Sequence, residues 1–431
     1  MFNRSLLEPV LTWQGYPLKR ASEELTKISS LKGISFLQWQ EAKRWEVFKF
    51  HLGNNPFYKS SILKGKSVQD WGDIPVMGKT DYQGTIKDKI SDPFKSVKNY
   101  VANTSGSSGH PFFYAKDKYA HALTWCLIKE RYASVGISLN DLQGRFYGIP
   151  LEKSGYVAES IKDSLMNRIR FPVFDLSDNK LKEIQLKIKK RGVRYLYGYT
   201  SAIVLFARYL IRNEIILAEN CPLLKACIIT SEVCTPEDSV LLHKGLGVRI
   251  INEYGSSELG IMAFEQMNGE FIGSDELIFF ETISNASGGQ ELLCTSLFNK
   301  AFPIIRYRIG DLVDMEKKDG RTYFNRIEGR TNDLVRLPSG KISAGLTFYY
   351  ISRSILESSG VLKEFIIRQT SLNQFEFDIV SDRKLTSQEE SLILEKTFLY
   401  LEPNLEIKFN YCNSINRPAS GKIKHFYSQL Q

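Results

Sequence analysis

Four hydroxyls and two glycines fall at six consecutive positions, Thr104, Ser105, Gly106, Ser107, Ser108 and Gly109, in the segment NTSGSSGHP that follows an apolar Val-Ala pair. Glycine lets a backbone approach an anion closely and the hydroxyls add donors, a composition suited to a triphosphate. A flexible serine-glycine turn has the same composition, so the segment alone does not choose. A second phosphate signal, Gly78-Lys79-Thr80, fails as a Walker loop because Asp73 stands where that loop needs its first glycine, and Pro75 interrupts the approach.

Other segments carry different chemistry. INEYGSSELG, from Ile251 to Gly260, ends an apolar strand in a tight turn of Gly255, Ser256, Ser257 and Glu258. Ligands of open α/β sheets collect at the carboxyl ends of strands, so Tyr254 can stack on a flat base and Glu258 can hold a metal bound to phosphate. The structural alternative is a helix start capped by Ser256 or Ser257, with Glu258 in its first turn. RYRIGDLV sets Asp311 after a strand, where its carboxylate can accept both hydroxyls of a ribose, and RIEGRTND offers Arg330 to sugar or phosphate. Taken singly, both are turn residues. RPASGKIKHF, after the last expected strand, carries Lys422, either part of a disordered basic tail or a lysine that a mobile domain moves into and out of a phosphate-transfer site.

The elements that must position these residues alternate. Helical periodicity spans Lys118 to Ala133 and Asn179 to Lys190, begins again at Ser201, and returns in a short helix from Pro236. Strand patterns lie at Gly144 to Ile149, Val193 to Tyr197, Lys225 to Thr230 and Val248 to Tyr254. Such alternation predicts βαβ units around a parallel sheet. From Glu276 paired strands follow, DELIFFETI with ELLCTSL and RYRIGDLVDM with TYFNRIEGR, an antiparallel and barrel-like texture. After Arg330 the pattern resets to a helix near Ala344 to Glu357, strands at Lys363 to Gln369 and Gln374 to Val380, a helix from Ser387 to Tyr400 and a final strand LEIKFNY. That is enough chain for a small α+β domain, with the boundary placed near Thr331 to Asp333: residues 1–331 and 332–431.

Composition bounds the rest. At 431 residues, 43% hydrophobic and 24% charged, the chain is globular, with room for two or three domains, and is neither disordered nor collagenous. Its longest apolar stretch, Ser201 to Ile211, contains Arg208 and is too short for a membrane span. The opening residues lack a secretory signal, and six cysteines without a C-x-x-C pair read as reduced, mostly buried thiols, so the expected compartment is the cytoplasm. The net charge of +9 favours anionic partners, but it is thinly spread. Its one dense cluster, Lys187 to Arg191, closes a helix, and nucleic-acid binding is not expected.

Taken in order, TSGSSGHP, IITSEVCTPED, INEYGSSE, PIIRYRIGDL, EGRTNDLVRLPSG and RPASGKIKHF resemble the core motifs of the adenylate-forming superfamily of acyl-CoA synthetases, peptide-synthetase adenylation domains and luciferases. DIPVMGKTDYQ and YGYTSAIVLFARYL are similar to segments of the phenylacetate-CoA ligase branch and its CapK-like relatives associated with capsule and O-antigen polysaccharide biosynthesis. The resemblance runs from about Asp73 to Phe426. It implies a large α/β N-terminal AMP-binding domain with doubly wound sheets and a β-barrel portion, and a small mobile C-terminal lid. The implied reaction activates a carboxylate with ATP and Mg2+ to an acyl-adenylate, then passes the acyl group to a thiol, usually coenzyme A. Alternatives are an acyl- or aminoacyltransferase that uses a carrier protein or a sugar amine as acceptor, and a non-catalytic nucleotide-binding member. Retention of Glu258, Asp311, Arg330 and Lys422 together argues against the last.

By the same resemblance Thr104 to Gly109 form the loop over the β- and γ-phosphates, and Ser231, Glu232 and Val233 form one wall of the nucleotide pocket. Asn252 meets the adenine amino group, Tyr254 its face and Ser257 the α-phosphate. Glu258 is the magnesium ligand, Asp311 the ribose anchor, Arg330 a second ribose or phosphate contact, Asn332 the hinge and Lys422 the adenylation lysine. The sequence departs from the pattern at His110, where a lysine is common, and at Asn332, where an aspartate or lysine is. The stretch after Glu258 lacks the cysteine and histidine of a structural zinc site, so none is expected.

Overall fold

The computed structural model describes residues 4–62, 64, 68–103, 112–284, 289–328, 334–344, 347–348, 351, 362–381, 383–413, 415 and 426–430. Helices α1 (Leu7–Trp13), α2 (Leu18–Ser30) and α3 (Gly33–Asn54) come first, and α4 (Ile86–Lys89) leads to the hairpin β1 (Tyr100–Asn103) and β2 (Phe113–Lys116). Asp117 then starts α5 (Lys118–Ser134), its carboxylate accepting from the amides of Tyr119 and Ala120 at 2.9 Å each.

A parallel sheet follows: β3 (Gln143–Phe146), α6 (Lys153–Leu165), β4 (Arg168–Phe171), α7 (Asp178–Arg191), β5 (Tyr195–Tyr199), α8 (Thr200–Arg212), α9 (Leu217–Asn220), β6 (Ala226–Thr230), α10 (Pro236–Leu246) and β7 (Arg249–Ser256). The spatial order is β4-β3-β5-β6-β7, all parallel. Every residue of β5 and β6 is buried, the signature of a sheet covered on both faces. Register shows how. Leu196, Cys227 and Ile250 line one face, packed with Leu181, Ile188, Phe206 and Leu246 of α7, α8 and α10. Tyr197, Ile228 and Ile251 line the other, packed with Tyr132 of α5. The sheet is thus doubly wound. Local chemistry sets the helix ends: α7 stops at Gly192 in the left-handed region, and α10 starts with Thr235 accepting from Asp238 N, with Pro236 at the first turn.

At β7 the chain reverses through a hairpin into β8 (Gly260–Glu265) and continues to β9 (Phe271–Gly273), β10 (Ile278–Ser284), β11 (Gln290–Ser296), β12 (Tyr307–Lys318) and β13 (Arg321–Glu328). The antiparallel strands expected as a barrel extend the same sheet to eleven strands, ending at β10 as an edge. Hydrogen bonding across the β7–β8 hairpin makes the two halves continuous.

Beyond β14 (Leu334–Arg336) and β15 (Ile342–Ala344) lies a separate four-stranded sheet, ordered β18 (Glu406–Tyr411), β17 (Gln374–Ser381), β16 (Leu362–Gln369) and β19 (Phe426–Ser428), with the helix Ser387–Tyr400. Its core of Phe365, Ile367, Phe375, Phe377, Ile393 and Phe426 also takes in Ile149 and Phe174 of the larger part. Tyr400 joins the two, donating to Glu152 Oε2 at 2.8 Å and accepting from Leu151 N at 2.9 Å. The expected boundary at 331/332 and most of the expected helix Ala344 to Glu357 lie outside the described residues, although 347, 348 and 351 are helical. One expectation is corrected. LEIKFNY is not the last strand: β19 follows and pairs in parallel with β16, so the segment carrying Lys422 connects two strands instead of trailing free.

Candidate active site

The described candidate residues lie after β6, along β7 and its turn, and on the inward face of β12. Burial along β12 alternates, with Tyr307, Ile309 and Asp311 inward and Arg308 and Gly310 outward, so Tyr307 and Asp311 share a face. Asp311 therefore sits within a strand and not after one, and is only 7% exposed.

The INEYGSSELG segment forms a β-hairpin, which excludes the capped helix start. β7 and β8 pair to Ser256 and Gly260, with residues 257–259 in the turn and a register shift at Tyr254/Gly255. A Cβ on Gly255 would lie 2.7 Å from the Gly260 carbonyl oxygen, so this close approach requires glycine. Ser256 Oγ accepts from Leu259 N at 3.2 Å, Ser257 is exposed at the tip with its carbonyl held by Tyr114 Oη at 2.6 Å, and Glu258 turns inward to 4% exposure.

Two hydrogen bonds then clasp hairpin and strand reciprocally. Tyr254 of β7 donates to Asp311 Oδ2 of β12 at 2.7 Å, and Tyr307 of β12 donates to Glu258 Oε1 at 3.0 Å. Burying two carboxylates is costly unless they are hydrogen-bonded, and a phenol donor to each meets that demand while fixing the oxygens in place. Glu258 Oε2 has no hydrogen-bond partner among the described residues and remains an open ligand oxygen.

Asn252 is tied to β8: its backbone amide and its Nδ2 both donate to Glu265 Oε2, at 2.9 and 2.6 Å, which leaves Oδ1 as an acceptor suited to an exocyclic amine. Ser231, exposed, has φ +72°, and its Oγ lies 3.3 Å from Tyr147 Oη. Glu232 caps α8: its Oε2 accepts from Ser201 N at 2.8 Å and its carbonyl from Thr200 at 3.2 Å. Oε1 is buried without a partner among the described residues, and burial pushes the carboxyl up to about 7. Val233 is half-buried beside it. Thr104 to Gly109, Arg330, Asn332 and Lys422 lie outside the described residues.

The sequence reading missed Lys116. It ends β2, is 5% exposed, and has no hydrogen-bonding or ion-pairing partner among the described residues. Its Nζ lies over the hairpin, 3.9 Å from where a Cβ on Gly260 would stand. Burial pulls this ammonium down to about 8, against the opposing pull of Glu258. The one sequence signal was its place a few residues after the serine-glycine segment; its meeting with Glu258 is tertiary.

Among known proteins, residues 340–429 match the family described as the CapK C-terminal domain. The chain is 26% identical over 335 residues to Protein CapK of Staphylococcus aureus, covering 74% of this chain and 72% of that protein. The structure of 2-hydroxyisobutyryl-CoA ligase with 2-HIB-AMP and CoA in the thioesterification state is similar at a TM-score of 0.54, 15% identity, and 92% and 91% coverage of the two chains. Its open conformation with the same two ligands gives 0.52 at 15% identity, with 92% and 93% coverage. The chain has the adenylate-forming ligase fold.

Proposed function

We propose that this protein activates a carboxylate with ATP: a carboxylate oxygen attacks the α-phosphorus, pyrophosphate leaves, and the acyl-adenylate formed is then attacked at its acyl carbon by a thiol, releasing AMP. The observation that carries the reading is the reciprocal clasp of Tyr254 with Asp311 and Tyr307 with Glu258 at the carboxyl ends of the parallel strands. In this reading Asp311 accepts ribose hydroxyls, Tyr254 offers its ring to adenine, Asn252 Oδ1 accepts from the adenine amine, and exposed Ser257 faces the α-phosphate. The serine-glycine loop, Arg330 and Lys422 complete the set as the resemblance implies. Lys116, buried and without a carboxylate partner, supplies positive charge to the phosphates.

The described residues contain no group of three His, Cys, Asp or Glu side chains fit to cage a metal. Mg2+ typically rests on one or two carboxylates and the substrate phosphates, and Glu258 Oε2 fits that minimal demand. Bound there, Mg2+ would neutralise phosphate charge; the protein supplies orientation, and no protein nucleophile is required.

Coenzyme A is the proposed acceptor. The net charge of +9 favours an acidic carrier protein as the second reading. A role in surface-polysaccharide biosynthesis belongs to the same proposal, as the resemblance of the sequence motifs implies. The test is ATP–pyrophosphate exchange across aromatic, fatty, amino, sugar and dicarboxylic acids. Exchange that requires an acid is the expected result; ATP binding with no exchange for any acid would leave a nucleotide-binding protein instead.

A further inference from the structure

Glu152 stands at the N-cap of α6, where side-chain oxygens commonly accept from the first helical amides, yet it makes no such bond. Both its oxygens reach instead to the small domain. Oε2 accepts from Tyr400 Oη at 2.8 Å, and Oε1 lies 3.2 Å from Lys396 Nζ. Lys396 and Tyr400 are four residues apart on the helix Ser387–Tyr400 and so share one face of it. Tyr400 Oη also accepts from Leu151 N at 2.9 Å, and its ring meets Phe174 edge-on at 5.1 Å. Burial pushes the Glu152 carboxyl up, but its own amide, Tyr400 and Lys396 outweigh that and hold it below the usual carboxylate range.

The anchor side is braced. Glu152 ends the short connection that leaves β3, and Arg170 Nη1 holds the Gly148 carbonyl of that connection at 2.6 Å, while Asp163 accepts from the same guanidinium at 2.6 and 2.8 Å. The connection starts at Tyr147, whose Oη lies 3.3 Å from Ser231 Oγ on the candidate nucleotide wall, so one braced segment serves both the wall and the small domain. The opposite side is built to part. Lys396 and Tyr400 are 9% and 1% exposed here, but their polar tips take up water once separated, so opening leaves no charge buried and unpaired. A second contact, Leu176 N donating to Ile342 O at 2.7 Å, ties β15 of the small domain to the chain after β4.

We propose that Glu152 is the latch of the small domain: it holds the pose seen here, and it lets go of Lys396 and Tyr400 when the domain swings between adenylate formation and thiol transfer. Glu152 is thus a positioning residue, acting on the reaction only through the pose of the small domain. The proposal rests on the two-step adenylating reading, with one pose for each step as the resemblance implies, and names what sets the balance between them. One charged pair and one phenol bond suit that task, since they bias a two-pose equilibrium without locking it. Loosening the latch favours one step at the expense of the other.

The test follows the latch in the full chain by hydrogen exchange and by the two steps taken singly. Exchange at the Leu151 and Leu176 amides, read by mass spectrometry of the peptides that carry them, should quicken about tenfold in Glu152→Ala, the weight of one charged hydrogen bond less its screening by solvent. Strands β5 and β6 should exchange as in the parent. Lys396→Met should act like Glu152→Ala, and the double variant should go no further than either. Single-turnover adenylate formation and thiol transfer from a supplied acyl-adenylate should move in opposite directions in these variants, which a fault in folding would not produce. Glu152→Gln, which keeps an acceptor for Tyr400 and loses the charge, should fall between and serves if the alanine variant does not fold. Unchanged exchange at the two amides, or two rates that fall together, overturns the proposal while the adenylating reading stands. Faster exchange in a protein that adenylates no acid keeps the latch and removes the reaction. Unchanged exchange with no adenylation removes both.

Discussion

The bond from Tyr254 to Asp311 makes a nucleotide prediction that can be worked through. Tyr254→Phe keeps the ring and deletes the phenol that donates at 2.7 Å to Asp311 Oδ2, in a place where Asp311 is 7% exposed. A hydrogen bond to a charged group contributes about 1.5 to 3 kcal/mol, and its loss removes one of the contacts that orient the Asp311 carboxylate for the ribose. The expected loss in ATP affinity is therefore about tenfold to a hundredfold. Asp311→Ala should cost the same or more for ATP and acyl-adenylate alike, since a ribose grip acts in every nucleotide state. The ribose itself supplies the control: 3′-deoxy-ATP should bind the parent more weakly than ATP does, and the two should bind the Asp311→Ala variant nearly equally. Calorimetric titration of the parent and the variants Tyr254→Phe, Asp311→Ala and the double mutant reads all these terms, and the double mutant should lose less than the sum of the singles. If the ratio of ATP to 3′-deoxy-ATP affinity is unmoved by Asp311→Ala, the carboxylate serves the fold of β12 and the ribose assignment is wrong.

Three further outcomes are expected. Lys116→Met should raise thermal stability while slowing pyrophosphate exchange tenfold or more. Because the lysine is held down to about 8, the native state binds fewer protons than the unfolded state between pH 8 and 10.5, so the stability gain, on the order of 3 kcal/mol at pH 7, should fade through that window in melts at stepped pH. Glu232, held up to about 7, binds more protons native than unfolded between pH 4.5 and 7, so parent stability should fall as pH rises through that range, and Glu232→Gln should flatten the fall in the same melts. Lys422→Ala should slow adenylate formation roughly a hundredfold or more in single-turnover assays while leaving thiol transfer from a supplied acyl-adenylate intact, with Lys424→Ala as the unaffected control.

Much of the scaffold was legible because it obeys short-range rules. Asp117 and Thr235 mark helix starts, and the apolar runs of β5 and β6 read as strands. Helices α1 to α3 were not read: Phe36, Val47 and Phe48 of α3 are buried, but its other aromatics are spread around the helix, so the periodicity blurs. The three-residue strand β19 is too short to signal itself and exists through pairing with β16. The YGSS turn and Asp311 were legible as chemistry but not as geometry. A serine pair before a glutamate reads equally as a cap or a hairpin tip, and only pairing with β8 decides. Lys116 was not legible at all, since its approach to Glu258 exists only once β2 and the β7–β8 hairpin pack together.

The central claim, that a carboxylate is adenylated, is tested most directly by following oxygen. An acid that supports exchange, labelled with 18O in its carboxylate, should be incubated with ATP, Mg2+ and a thiol acceptor, and the released nucleotide examined by mass spectrometry. Attack of the carboxylate on the α-phosphorus predicts AMP carrying one 18O atom, together with unlabelled pyrophosphate. ADP with label in inorganic phosphate would show attack at the γ-phosphorus and contradict the account, as would thioester formation with unlabelled AMP.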